Sequence, residues 1–80
     1  TTVHCSLGQE WNEQYTFNEA EKSVTTSDGK KTKAYFNNQT VSFENYLNGI
    51  HRLLVFDRSS EVLTVQELPS YTLVIVGKCN

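Results

Sequence analysis

Along this chain apolar and polar residues alternate with a period of two, and no window of a dozen residues carries apolar side chains at i, i+3, i+4 and i+7. Short segments rich in Val, Thr, Tyr and Phe follow one another at intervals of roughly 8–12 residues, the pattern of an all-β barrel or sandwich. The first strand is predicted over Thr2 to Leu7, with Val3, Cys5 and Leu7 on one face and Thr2, His4 and Ser6 on the other. Gly8-Gln9 turns the chain into a second strand, Trp11 to Phe17, which gathers Trp11, Tyr15 and Phe17 but is interrupted by Glu13. Asn18 to Lys22 is polar and suits a loop or one helical turn. A third strand, Ser23 to Thr26, meets Asp28-Gly29, a hairpin signal because both residues tolerate positive φ.

The fourth strand, Lys31 to Phe36, sets Thr32, Ala34 and Phe36 against Lys31, Lys33 and Tyr35. Asn37-Asn38 turns it into a fifth near Thr40 to Phe43. Asn48-Gly49 is a second hairpin signal and leads into the sixth, Ile50 to Phe56. Arg58-Ser59-Ser60 precedes the seventh, Val62 to Gln66, and Pro69-Ser70 precedes the eighth, Tyr71 to Val76. Eight strands with short connections make an antiparallel meander.

The two cysteines, Cys5 and Cys79, decide how that meander ends. A disulfide holds its Cα atoms roughly 4.4–6.8 Å apart, so pairing brings the first and last strands together. With an even strand count those strands are antiparallel and close the sheet into a barrel without exposed edges. A count wrong by one gives a two-sheet sandwich with the disulfide between the sheets. Eighty residues form a single domain, 1–80, with a thin core, to which a closed loop of this length adds roughly 4 kcal/mol. Pairing also implies an oxidising compartment, so the protein is expected to be secreted or periplasmic. No apolar run reaches the roughly 18 residues of a membrane span, and a chain opening at Thr1 is expected to be a mature form whose signal peptide has been removed.

Two predicted strands fail to alternate. Leu53-Leu54-Val55-Phe56 and Leu73-Val74-Ile75-Val76 are apolar on both faces, whereas the outer face of a small barrel is normally wet. Their outer faces need cover, from Asn18 to Lys22, from Phe43 to Leu47, or from another molecule. Together with the Asp57-Arg58-Ser59-Ser60 turn, where Arg58 is placed to pair with Asp57 or Glu61, they supply the candidate contact residues: Leu54, Phe56, Asp57, Arg58, Val74 and Val76. Their expected occupant is a protein partner or a second copy of the chain.

Little else carries chemistry. A net charge of −2 gives no basis for nucleic-acid binding. His4 and His51 lack metal-ligand spacing once both cysteines are paired, so no metal or cofactor is expected. Ser59 or Ser60 with His51 and Asp57 contains the residue types of a nucleophilic triad but no nucleophile elbow, and no carboxylate pair stands out for glycoside hydrolysis. The chain is therefore expected not to be an enzyme. Asn38-Gln39-Thr40 is a formal glycosylation sequon at Asn38.

An early cysteine, Tyr15-Thr16-Phe17, Thr40-Val41-Ser42-Phe43, Val55-Phe56-Asp57-Arg58-Ser59 and the closing Val76-Gly77-Lys78-Cys79 resemble small exported bacterial or phage-encoded β proteins. Among characterised families the layout is similar to the periplasmic C-type lysozyme inhibitors, small eight-stranded barrels with bridged terminal cysteines. That family's Ser-Gly-rich inhibitory loop has no counterpart here, and the only Lys-Thr-Lys, Lys31 to Lys33, sits in a different context. Fungal effectors with a disulfide-linked β sandwich are a second resemblance. The function these readings imply is a non-catalytic exported binding module acting on a protein partner, inhibition being one form that the resemblance suggests. The alternative is a phage or envelope structural protein that self-associates through its apolar strands.

Overall fold

The computed structural model describes residues 2–6, 12–47 and 49–80, with Asn12, Leu47 and Ile75 described through their backbone alone. Leu7, the Gly8-Gln9 turn, Trp11 and Asn48 lie outside the described residues. Eight strands follow in order: β1 (Thr2–Ser6), β2 (Asn12–Asn18), β3 (Ser23–Thr26), β4 (Lys31–Phe36), β5 (Thr40–Leu47), β6 (Ile50–Asp57), β7 (Val62–Glu67) and β8 (Thr72–Cys79). Each pairs antiparallel with the next, and β1 pairs with β8, so the sheet is a closed barrel and not a sandwich.

Closure is brief along the described residues. Cys5 faces Cys79 and Ser6 faces Lys78. Beside them His4 and Asn80 exchange both backbone hydrogen bonds, at 2.9 and 3.0 Å. That exchange makes Cys5 and Cys79 a non-hydrogen-bonded pair, the position in an antiparallel ladder where side chains stand closest. Their Cα atoms are 4.0 Å apart, and the disulfide joins them across a sequence separation of 74. Such a bond is consistent with an oxidising, extracytoplasmic location.

Alternation places one residue of every two inside. Val3, Tyr15, Phe17, Val24, Ala34, Val41, Phe43, Leu54, Phe56, Leu63 and Val65 form the buried core with both cysteines. Its centre is a stack of rings in tilted or edge contact, Tyr15 on Phe43 at 5.3 Å and Phe17 on Phe56 at 5.2 Å. Glu13 stands at an inward-facing position of β2 opposite Cys5, where the Ser27 hydroxyl donates to its carboxylate at 2.9 Å. The interruption in the apolar face thus falls at a barrel end, where a polar partner is within reach.

Three connections differ from expectation. The segment from Phe43 to Leu47 is not a covering loop but the second half of β5, pairing residue by residue with β6 as far as Leu47 opposite Ile50. Gly49, at φ 79°, supplies the positive dihedral this tight turn needs. Residues 19–22 form an exposed turn in which Asn18 Oδ1 accepts the Glu21 N–H at 3.1 Å, and they cover neither apolar strand. Gly77-Lys78-Cys79 continues β8, so this strand crosses the full wall.

Candidate functional site

Two features of the surface depart from an ordinary wet barrel: an apolar strip on the wall and a cavity at one mouth. The strip begins with a backbone irregularity. Val65 faces Ile75 whereas Gln66 faces Leu73, so Val74 is an extra residue in β8 and forms a β-bulge. A bulge resets which side chains face outward. As a result Leu73, Val74 and Val76 are all exposed, at 55%, 40% and 57%. Rows across the wall then run Val55–Thr64–Val76 and Leu53–Gln66–Leu73 over β6, β7 and β8. Leu53 and Val55 are half-buried.

Val74 and Val76 therefore lie on the outer surface, as a contact role requires. Leu54 and Phe56 do not. Leu54 is fully buried and Phe56 is 5% exposed, because β6 directs them inward and its alternate residues, Leu53 and Val55, outward. The candidate contact set is corrected accordingly: Leu54 and Phe56 are core.

Asp57 and Arg58 belong to the mouth. Asp57 Oδ1 accepts the backbone N–H groups of Ser60 at 3.1 Å and Ser59 at 2.9 Å, with the Ser59 hydroxyl at 3.1 Å. The Ser60 N–H, then the Ser59 N–H and hydroxyl, hold this carboxyl below the usual 3.8. Arg58 pairs with neither Asp57 nor Glu61. Its guanidinium donates to the Asn37 carbonyl at 2.8 Å and reaches Glu19 at 3.3 Å, bridging three connections at one end of the barrel.

Beneath that bridge is a cavity of about 530 Å³. Its floor is apolar, made by Val3, Phe17, Phe36, Val41 and Phe56, and its rim carries Thr16, Asn18, Glu19, Arg58 and Glu61. The mouth lies where β1 begins and β2, β4, β6 and β8 end. Sequence pattern placed Phe17 and Phe36 only on strand faces and Glu61 only as a partner for Arg58, and it passed over Glu19; closure of the barrel brings these distant positions to one opening.

At the other end of the interior, Asn45, Arg52 and Glu67 stand side by side on β5, β6 and β7. Arg52 Nε and Nη1 and Asn45 Oδ1 are shut off from solvent. On the wall nearby, His51 stacks on Tyr46 at 4.5 Å and approaches Glu44 at 2.5 Å. His51 and Asp57 are six residues apart on one extended strand, roughly 20 Å, so the triad residue types do not assemble. Among the described residues no group of three or more His, Cys, Asp or Glu could hold a metal. Asn38 is exposed in the β4–β5 turn, where Asn37 Oδ1 accepts the Gln39 and Thr40 N–H groups, both at 2.7 Å. No helix is long and apolar enough to cross a membrane among the described residues. Comparison with protein-family models, curated proteins and solved structures finds no match to the chain.

Proposed function

We propose that this domain is a non-catalytic, secreted or periplasmic binding module that engages a protein partner through the outer wall of β6, β7 and β8. One observation carries the reading: Leu73, Val74 and Val76 are exposed side by side beyond the half-buried Leu53 and Val55. Apolar side chains scattered singly over a surface are ordinary, whereas a contiguous group rimmed by polar residues marks an interaction site. Leu73, Val74 and Val76 are contiguous along β8, Thr64 and Gln66 of β7 stand between them and the half-buried Leu53 and Val55, and Lys78 bounds the group on the outer face. The disulfide supports the compartment. Inhibition of a lysozyme-like enzyme is the specific form that the layout resemblance suggests, and a lysis assay with purified protein reads it directly.

The test replaces Val76 by Lys. The variant should fold with unchanged stability, since the side chain stands in solvent, and should lose about tenfold or more in affinity for a partner isolated by cross-linking in the native compartment. Equal binding by both proteins removes the strip from the interface. Light scattering separates the alternative: a dimer that V76K dissociates assigns the strip to self-assembly, and a concentration-independent monomer excludes it.

A further inference from the structure

The mouth cavity is distinct from the wall strip and has its own chemistry. Three phenylalanines line it, from β2, β4 and β6: Phe17 lies 6.3 Å from Phe36, nearly perpendicular, and 5.2 Å from Phe56. Phe36 is only partly buried, so ring surface remains accessible from the opening. The volume falls within the range of about 300–1,000 Å³ typical of small-molecule sites, and the mouth of a β-barrel is a common place for them.

The rim selects the sign of the ligand's charge. It carries two carboxylates, Glu19 and Glu61, and one guanidinium, Arg58. Arg58 is already held by Glu19 and by the Asn37 carbonyl. Glu61 is held differently, through its backbone. Its N–H donates to the Asp57 carbonyl at 2.8 Å and its own carbonyl accepts the Cys79 N–H at 2.7 Å. Its φ of 61° is left-handed, a conformation uncommon outside glycine, so the turn fixes a glutamate where a less strained residue would be easier to place. Among the described residues the rim is thus one negative charge in excess above a floor of aromatic rings. A carboxylate ligand would meet an occupied Arg58 and two acidic groups. A cation would meet the aromatic floor and the Glu61 carboxylate, the combination that recognises organic ammonium groups.

We propose that this cavity binds a small organic cation, an alkyl- or arylammonium, with its apolar body on Phe17, Phe36 and Phe56 and its charge facing Glu61.

Titration of isotopically labelled protein with benzyltrimethylammonium, followed by amide chemical shifts, tests the proposal against two probes of similar shape: 3-phenylpropan-1-ol, which is neutral, and phenylacetate, which is anionic. The cation should shift amides in residues 16–19, 36–37 and 58–61 and bind most tightly of the three. Glu61→Gln should weaken it by about fivefold while leaving the alcohol unaffected. Phe36→Leu, which preserves an apolar floor, should weaken the cation by about threefold or more. An alcohol or carboxylate that binds as tightly as the cation, shifts confined to other surfaces, or a Glu61→Gln variant with unaltered cation affinity overturns it. Should Phe36→Leu not fold, Glu61→Gln decides alone.

Discussion

Reduction of the Cys5–Cys79 disulfide tests whether the barrel is closed where the register places its seam. Removing the cross-link releases a loop with a sequence separation of 74, for which chain entropy gives roughly 4 kcal/mol. A domain of 80 residues has a total stability of about 4–12 kcal/mol, so the loss is a third of the total or more. With a urea dependence of about 1 kcal/mol per M for so small a protein, the unfolding midpoint should fall by several M in dithiothreitol. The seam itself should respond first, because among the described residues only two residue pairs and the His4–Asn80 hydrogen bonds join β1 to β8. Amide exchange at His4 and Asn80 should accelerate before exchange at Leu54 and Val65, which sit where β6 and β7 pair over five consecutive positions. A midpoint shift below about 1 M, or unchanged protection of His4 and Asn80 on reduction, would refute the assignment of the bond as the lock of the barrel.

Two further measurements address the inward and outward faces and the turns. Leu54→Ala should destabilise the domain by about 2–5 kcal/mol in urea unfolding and Val76→Thr by under about 0.5 kcal/mol, and the reverse order would invert the faces of β6 and β8. Asp57 is held below its usual pKa by the Ser60 and Ser59 N–H groups, and Asp28 by the Thr26 hydroxyl and then the Lys30 N–H. Their contribution is therefore complete above the unfolded value near 3.8 and is lost as the pH falls through the depressed folded values. Unfolding between pH 7 and 2 should show Asp57→Asn with a shallower acid loss than the parent, and parallel curves would contradict the role of the turn.

Pattern made the scaffold legible because burial in a barrel is local. Each strand's inner face is set by its own alternation, so Val3 with Cys5 and Ala34 beside Lys33 and Tyr35 could be placed from the chain alone. The ends of strands were less legible. β5 runs on to Leu47 because β6 offers it a partner along its whole length, and polar Glu44 and Asn45 gave no sign of that pairing. The apolar runs misled for a related reason. Leu53 to Phe56 has ordinary alternation with apolar residues on both sides, so its largest members, Leu54 and Phe56, are simply core. Leu73 to Val76 hides a bulge, and a bulge leaves no compositional trace when the inserted residue is another valine. Arg58 was visible as a notable residue, but its partner Glu19 is 39 positions away and is brought near only by closure.

Closure also links the disulfide to chemistry that the two cysteines do not themselves mark. Cys79 lies at the end of the barrel that carries the mouth, and its backbone N–H donates to the Glu61 carbonyl at 2.7 Å. The bond that fixes Cys79 against Cys5 therefore also steadies the acceptor that keeps Glu61 in its left-handed conformation at the rim. The wall strip has no such dependence. Leu73, Val74 and Val76 are positioned by pairing of β8 with β7 and by the bulge between them, on the stretch of β8 that precedes Gly77-Lys78-Cys79. Loosening the seam thus bears on the mouth through the hydrogen bond from Cys79 to Glu61, whereas the strip retains its pairing with β7 on the opposite edge of β8.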